Sequence, residues 1–191
     1  MGKIASVDEG RRVLDCLSPS LIKTLVAITM GDIKVSKDLA EAVGISLRNA
    51  QRIISLLEQM GLIKTMRYGR SKIILSINKY VEKEIIEGIE KLVPYVIDEL
   101  RIDLSKPDRS AHVIARRIVE NLGINVNPSR TRSIVKKVIQ SSLERKPLPQ
   151  WLKRITTTYY EHRLRTLSDR AQQPPRLSDE ELIEVVYPGA P

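Results

Sequence analysis

Phenylalanine is absent from this sequence, and cysteine and tryptophan each occur once. The single cysteine, Cys16, excludes a disulfide framework and a cysteine-based zinc site, and we expect it to be a small buried hydrophobe. The two histidines, His112 and His162, lie far apart and lack the spacing of metal ligands. A glycine-rich phosphate loop is also missing. These absences predict a protein without metal or cofactor that is not an enzyme.

Long apolar runs are missing as well. No stretch approaches the roughly 20 residues that a membrane span requires, and the first residues lack the apolar centre and cleavage site of a secretory signal peptide. We therefore expect a cytoplasmic protein that does not associate with membranes. Abundant isoleucine and dense ionic residues, together with the lack of phenylalanine, are compositional signs of a thermophilic source.

Positive charge is in excess and unevenly placed. The formal net charge is +9, and residues 1–100 carry 15 Lys and Arg against 13 Asp and Glu. Residues 101–176 carry 17 against 6, whereas residues 177–191 carry 0 against 4. A basic block of this kind predicts a polyanionic partner, of which nucleic acid is the commonest. The acidic residues 177–191 are typical either of a peptide that docks on a protein partner or of a frayed tail.

The most informative stretch is residues 37–64. Its pattern predicts a short helix capped by Ser36, a turn at Gly44, and a second helix capped by Ser46. In the second helix, apolar residues recur at the spacing of a buried stripe; these are Ala50, Ile53, Ile54 and Leu57. Polar residues cluster on the other side, and their guanidinium and amide groups suit base edges in a major groove; these are Arg48, Asn49, Gln51 and Arg52. An ordinary solvated helix face is the alternative.

A β-hairpin is predicted directly after this helix. Gly61 ends the helix, and residues 62–67 and 72–77 are rich in the β-branched types that favour strands. Residues 68–71, which include a glycine, form the predicted turn. Three basic residues surround its tip, namely Arg67, Arg70 and Lys72.

A helix, a turn, a second helix and a hairpin with a cationic tip, in this order, resemble the winged helix-turn-helix superfamily, which includes MarR-type and ArsR-type regulators. The resemblance covers residues 18–78 and includes the string AVGIS…RNAQRII..LE..GLI. It implies that the helix after Ser46 enters the major groove while the hairpin contacts phosphates or the minor groove. The DNA contacts expected on this basis are Arg48, Asn49, Gln51 and Arg52 for base readout, Lys37 and Ser46 for the backbone, and Arg67, Arg70 and Lys72 for the wing.

A long helix with periodic apolar residues is expected from residue 79. Its stripe is close to a heptad pattern and comprises Val81, Ile85, Ile89, Leu92 and Val96. Pro94 is expected to kink the helix or divide it. The stripe either packs against its own domain or forms a dimer interface. We favour a homodimer, which would match a two-fold symmetric DNA site.

The polar, proline-containing residues 104–108 predict a domain boundary. Beyond it we expect a helix capped by Ser110, a stop at Gly123, a helix capped by Ser129, and a further basic helix over residues 150–170. The first two helices repeat the pattern of residues 37–64. The sequence leaves open whether they form a second helix-turn-helix or a helical dimerisation domain with a basic exterior. In the first case the expected DNA contacts are Arg130, Arg132 and Lys136.

The sequence thus predicts a mainly α protein with a small β-hairpin wing. Its expected parts are a winged helix-turn-helix domain in residues 1–78, a linking or dimerisation helix in 79–104, a basic helical domain in 105–170, and a linker with an acidic tail in 171–191. The expected function is sequence-specific binding of double-stranded DNA by a dimeric transcription regulator. The alternatives are a replication-origin or plasmid-partition DNA-binding protein and a winged-helix module for protein interaction.

Overall fold

The computed structural model describes residues 12–69, 71–141 and 143–156. In chain order the elements are a 3-10 turn (Val13–Cys16), α1 (Pro19–Gly31), α2 (Ser36–Val43), α3 (Leu47–Gln59), β1 (Ile63–Tyr68), β2 (Ser71–Ile77), α4 (Lys79–Leu100), α5 (Pro107–Asn121), α6 (Ser129–Ser141) and α7 (Gln150–Ile155). The prediction of a mainly α chain with a small antiparallel hairpin is therefore confirmed. None of the helices in these ranges is both long and apolar enough to cross a lipid bilayer.

Helix α1 is enclosed by the rest of the molecule. Eight of its 13 residues are buried, and it contacts α2, α3, α4, α6 and α7. Two of the buried residues are threonines. The hydroxyl of Thr24 donates to the carbonyl of Ser20 at 2.8 Å, and that of Thr29 donates to the carbonyl of Leu25 at 2.8 Å. Because both hydroxyls are satisfied within the helix, their burial leaves no polar group without a partner there.

Helices α2 and α3 form the predicted pair, with one difference at a cap. Gly44 adopts the left-handed conformation at φ 72°, and the hydroxyl of Ser46 accepts the backbone N–H of Asn49 at 3.3 Å. Both predictions are confirmed. Ser36 is not a cap, because Val35 occupies that position and α2 already includes Ser36. Val35 is held in an extended conformation by a bridge to Ile73 of β2, and the helix begins one residue earlier than expected.

Strands β1 and β2 pair as the predicted antiparallel hairpin. Met66 lies opposite Ile73, and Arg67 lies opposite Lys72. The middle of the hairpin is fastened to the segment between α1 and α2 by the backbone N–H of Ile74, which donates to the carbonyl of Lys34 at 2.7 Å. The hairpin therefore projects from a defined position beside α2 and α3.

Helix α4 runs without a break through Pro94, so the predicted division at this proline is not observed. The apolar stripe of α4 is covered by the chain's own helices and by the 3-10 turn. The predicted dimer interface along this stripe is therefore wrong, and the alternative of packing within one chain is what the structure has. The reason is that α5 and α6 fold back onto α4, which the sequence pattern of α4 alone does not reveal.

Helices α5 and α6 begin differently from the prediction. Pro107 starts α5 four residues earlier than expected, so Ser110 is not a cap, and its hydroxyl donates to the carbonyl of Asp103 at 2.8 Å. Ahead of α6, the side chain of Asn127 rather than Ser129 accepts a backbone N–H, that of Ser129 itself, at 3.0 Å. Buried side chains from both sides of residues 104–108 belong to one hydrophobic core.

Helix α7 closes the core over α4. A Cβ atom added to Gly88 would lie 2.2 Å from Cζ2 of Trp151, so the absence of a side chain at Gly88 makes room for the indole. The carboxylate of Asp15 accepts the backbone N–H of Trp151 at 2.7 Å, and Arg154 donates to the carbonyl of Asp15 at 3.0 Å. The part of the predicted 150–170 helix beyond residue 156 lies outside the described residues, as does the acidic segment 177–191.

The prediction that Cys16 is buried is wrong, because its side chain is exposed. Cys16 ends the 3-10 turn, and its neighbours Leu14 and Leu17 take the buried positions on either side of it. A turn this short has only one face toward the core. The two leucines occupy that face.

Candidate nucleic-acid interface

Helix α3 separates an apolar face from a polar one. Its buried residues are the four that the sequence pattern predicted, namely Ala50, Ile53, Ile54 and Leu57. Its exposed polar residues include the four predicted base readers, Arg48, Asn49, Gln51 and Arg52. Arg48 and Arg52 lie about 6 Å apart along the helix axis, given a rise of about 1.5 Å per residue. We call these four exposed residues the α3 polar face.

The cations of the α3 polar face are not engaged by the rest of the described chain. Within residues 12–69, 71–141 and 143–156, neither Arg48 nor Arg52 forms an ion pair. Both side chains are exposed, so the C-terminal half does not cover them there. Their guanidinium groups are therefore available to an external acceptor.

Three further predicted contacts surround this face. Lys37 near the start of α2 and Arg67 on β1 are exposed. Ser46 is exposed as well, although its hydroxyl is already used as the α3 cap. A groove of about 330 Å³ separates α2, α3 and the hairpin, and Gln51 and Arg67 both line it. Arg70 lies outside the described residues.

Lys72 differs from the other predicted hairpin contacts. Its ammonium lies 2.6 Å from Oε2 of Glu58 and 3.3 Å from the hydroxyl of Ser55, both on α3. The hydroxyl of Thr65 on β1 donates to the other oxygen of Glu58. The hydrogen bonds from Lys72 and then Thr65 lower the pKa of the Glu58 carboxyl below its usual value. Lys72 thus joins the hairpin to α3 rather than extending freely into solvent.

Sequence reasoning missed Glu58 and Thr65. Glu58 lies on the exposed side of α3, where an acidic residue is ordinary. Its partner Lys72 is 14 residues further along the chain, on a strand whose pairing with the helix is set by the fold. No local pattern connects them.

The three predicted contacts on α6 each have an acidic partner within the chain. Arg130 donates to the carbonyl of Thr29 at 2.8 Å and pairs with Glu82. Lys136 pairs with Asp108, and Arg132 lies 3.9 Å from the same carboxylate. The hydrogen bond from Lys136 lowers the pKa of Asp108. These contacts fasten α6 to its neighbouring helices, so α6 lacks an open cationic face comparable to the α3 polar face.

A metal site is not indicated by the described part of the chain, where no three His, Cys, Asp or Glu side chains are grouped so as to hold an ion. Comparison with protein-family models, curated proteins and solved structures gave no match. The geometry of α3 and its neighbours is therefore what indicates a function.

Proposed function

We propose that the protein binds double-stranded DNA in a sequence-specific manner, with α2, α3 and the hairpin acting as a winged helix-turn-helix unit. One observation carries the proposal. Four side chains with the donors and acceptors needed to read bases are exposed together on a helix whose opposite face is buried. A major groove admits an α-helix, guanidinium groups pair with guanine edges, and side-chain amides pair with adenine edges.

Charge around α3 supports the same docking. Contacts with phosphates position a protein on DNA without reading sequence, and positive side chains on both sides of the inserted helix supply them. Lys37 on α2 and Arg67 on β1 are exposed and have the required sign. The net charge of +9 favours encounter with a polyanion over long distances.

A DNA-binding unit of this kind serves most simply as a transcription regulator, and binding as a dimer would double the length of the site read. A dimer would need a surface other than the apolar stripe of α4, which is buried in the chain. Sedimentation of the full chain with and without its duplex gives the stoichiometry directly.

The acidic residues 177–191 are the proposed docking segment for a protein partner.

The test begins with selection of bound sequences by the full chain from a random duplex pool. Binding of the recovered duplex and of a scrambled duplex is then measured for wild type, Arg52→Ala and Arg116→Ala. Arg116 on α5 is the matched control, since its side chain is 73% exposed and pairs with Glu120, one turn further along the same helix.

We expect Arg52→Ala to cost about 1–3 kcal/mol on the recovered duplex and much less on the scrambled one, since a base contact is lost. Arg116→Ala should affect both duplexes little. Failure to enrich any sequence, or equal losses on the two duplexes for Arg52→Ala, would overturn the proposal for this helix.

A further inference from the structure

A single carboxylate on α3 contacts both strands of the hairpin. Oε2 of Glu58 lies 2.6 Å from the ammonium of Lys72 on β2, and its other oxygen accepts from the hydroxyl of Thr65 on β1. Ser55, one helical turn before Glu58, lies 3.3 Å from the same ammonium. We call these four residues, Ser55, Glu58, Thr65 and Lys72, the hairpin latch.

The Lys72 contact of the latch lies one rung from the turn of the hairpin. The backbone contacts of the hairpin with the segment before α2 lie further from the turn, where Ile73 bridges to Val35 and the N–H of Ile74, opposite Thr65, donates to the carbonyl of Lys34. Among the described residues, the side-chain hydrogen bonds between the hairpin and α3 are those of the latch. Movement of the tip relative to α3 therefore requires these contacts to stretch or break.

The latch shares a rung of the hairpin with a proposed phosphate contact. Lys72 lies directly opposite Arg67 in the antiparallel ladder. On α3, Glu58 follows the proposed reader Arg52 by about 9 Å along the helix axis, given a rise of about 1.5 Å per residue. Together with the backbone contacts at Ile73 and Ile74, the contact between Glu58 and Lys72 therefore helps to determine the distance between a proposed base reader and a proposed wing cation.

The charge of Glu58 has the wrong sign for a residue that touches DNA. A free carboxylate beside a duplex would repel phosphates, whereas here its charge is offset by Lys72. The pair is partly exposed, with side-chain exposures of 35% for Glu58 and 42% for Lys72, so its contribution to folding is small. Such a contact can fix the position of the hairpin relative to α3 without contributing much to the stability of the fold.

We propose that Glu58 is a positioning residue: through Lys72 and Thr65 it holds the hairpin at the angle to α3 at which both contact one duplex. This inference rests on the proposed DNA binding by α3. It gives Lys72 a role inside the protein, in place of the phosphate contact expected from the sequence.

Whether Glu58→Gln strengthens or weakens binding to a duplex decides between two roles for Glu58. It either positions the hairpin or only adds a negative charge. Removing a negative charge by Glu58→Gln should strengthen binding to every duplex if Glu58 only adds to the electrostatic field. If Glu58 positions the hairpin, the same change should weaken binding to the selected duplex by about threefold or more. Glu41→Gln, an exposed acid on α2 with the same change in charge, is the matched control and should not weaken binding.

Two further measurements exclude a general loss of structure. The thermal midpoint of Glu58→Gln should stay within a few degrees of wild type, as expected for a partly exposed pair. Exchange of the two charges, by Glu58→Lys together with Lys72→Glu, should restore at least part of the lost affinity. In addition, Arg67→Ala should reduce the affinity for the selected duplex less in the Glu58→Gln variant than in wild type, since Arg67 is no longer held in place there.

The outcomes distinguish this inference from the proposal that it rests on. One outcome is that Arg52→Ala weakens binding to the selected duplex more than to the scrambled one while Glu58→Gln binds the selected duplex as tightly as wild type or tighter. In that case positioning by Glu58 is refuted and DNA reading by α3 stands. If the full chain enriches no sequence, both are refuted.

Discussion

At the scale of single residues, Glu84 on α4 is a carboxyl group whose charge responds to pH near neutrality. Burial raises the pKa of Glu84 to about 7, against a hydrogen bond from the backbone of Leu14 that lowers it. The charge of Asp15 raises the pKa further, and that of Arg12 lowers it. One carboxylate oxygen of Glu84 is buried without a hydrogen-bond partner in the described structure. The protonated form therefore fits this site better than the ionised one.

This shift predicts how stability changes with pH. The pKa of Glu84 is higher in the folded state than its ordinary value of 4.5, so the folded state binds more protons between these values. Stability is therefore greatest below about pH 4.5 for this group and is lost as pH rises through about 7. We expect a loss of no more than about 2 kcal/mol between pH 5 and pH 8, since the group is only half-buried.

Chemical denaturation of wild type and Glu84→Gln at pH 5 and pH 8 measures this. The variant should lack this part of the pH dependence and should be the more stable of the two at pH 8. An identical decline in both proteins would show that another group titrates.

Local sequence patterns predicted the side chains whose roles are decided within a few residues. Gly44 and Ser46 behave as predicted because a turn and a cap depend on neighbours in the chain. Ser36 does not, because its neighbour Val35 is fixed by a strand that follows much later in the sequence. The contact of Lys72 with Glu58 was missed for the same reason, because its partner lies 14 residues away in the chain.

At the scale of elements, the packing of α7 on α4 depends on Gly88. Replacing a glycine by alanine inside a helix normally stabilises it by about 1 kcal/mol. At Gly88 the new methyl group would lie 2.2 Å from the indole of Trp151, which is fully buried. We expect the clash to dominate, so that Gly88→Ala lowers the free energy of unfolding by about 1–3 kcal/mol.

Urea denaturation of wild type, Gly88→Ala and the double variant Gly88→Ala with Trp151→Leu tests this contact. The smaller leucine should relieve the clash, so Gly88→Ala should lower the free energy of unfolding less in the Trp151→Leu variant than in wild type. A more stable Gly88→Ala protein would mean that α7 does not dock on α4 in this way.

The periodicity of apolar residues predicted which segments are helices and which faces are buried. It did not predict which elements cover those faces. The spacing of Ala50, Ile53, Ile54 and Leu57 predicted the buried face of α3 because one helix face meets one core. The stripe of α4 has an equally regular pattern, yet a pattern shows only that a face is covered and not what covers it. The predicted partner was a second chain, and the observed partners are α5, α6 and the start of the same chain.

At the scale of the whole molecule, the C-terminal half braces the helix pair that carries the α3 polar face. The backbone N–H of Asn125 donates to the carbonyl of Ala42 at the end of α2, at 2.7 Å. Arg130 donates to the carbonyl of Thr29 near the end of α1, at 2.8 Å. These contacts join residues 83 and 101 positions apart, calculated as 125 − 42 and 130 − 29. The sequence offered no means of pairing them, which is why Arg130 was expected on DNA.

The bracing role of Arg130 predicts a loss of stability rather than of DNA contact. Arg130→Ala should lower the free energy of unfolding by about 1–3 kcal/mol, since a carbonyl and the carboxylate of Glu82 lose their partner. Lys137→Ala, an exposed cation on the same helix, should change it little.

Affinity for the selected duplex, measured well below the thermal midpoint at several salt concentrations, separates the two roles. Arg130→Ala should keep the wild-type salt dependence. A slope reduced by roughly 1 would mean instead that this guanidinium neutralises a phosphate.

The enclosure of α1 bears on how the protein can be dissected. Residues 18–78 contain the first three helices and the hairpin, but the first of these helices is covered on several sides by α4, α6 and α7. Excised from the chain, that unit would present Met30, Ile28 and their neighbours to water and would be prone to aggregate. Failure of such a fragment to bind a duplex would therefore reflect an uncovered core and not the chemistry of α3.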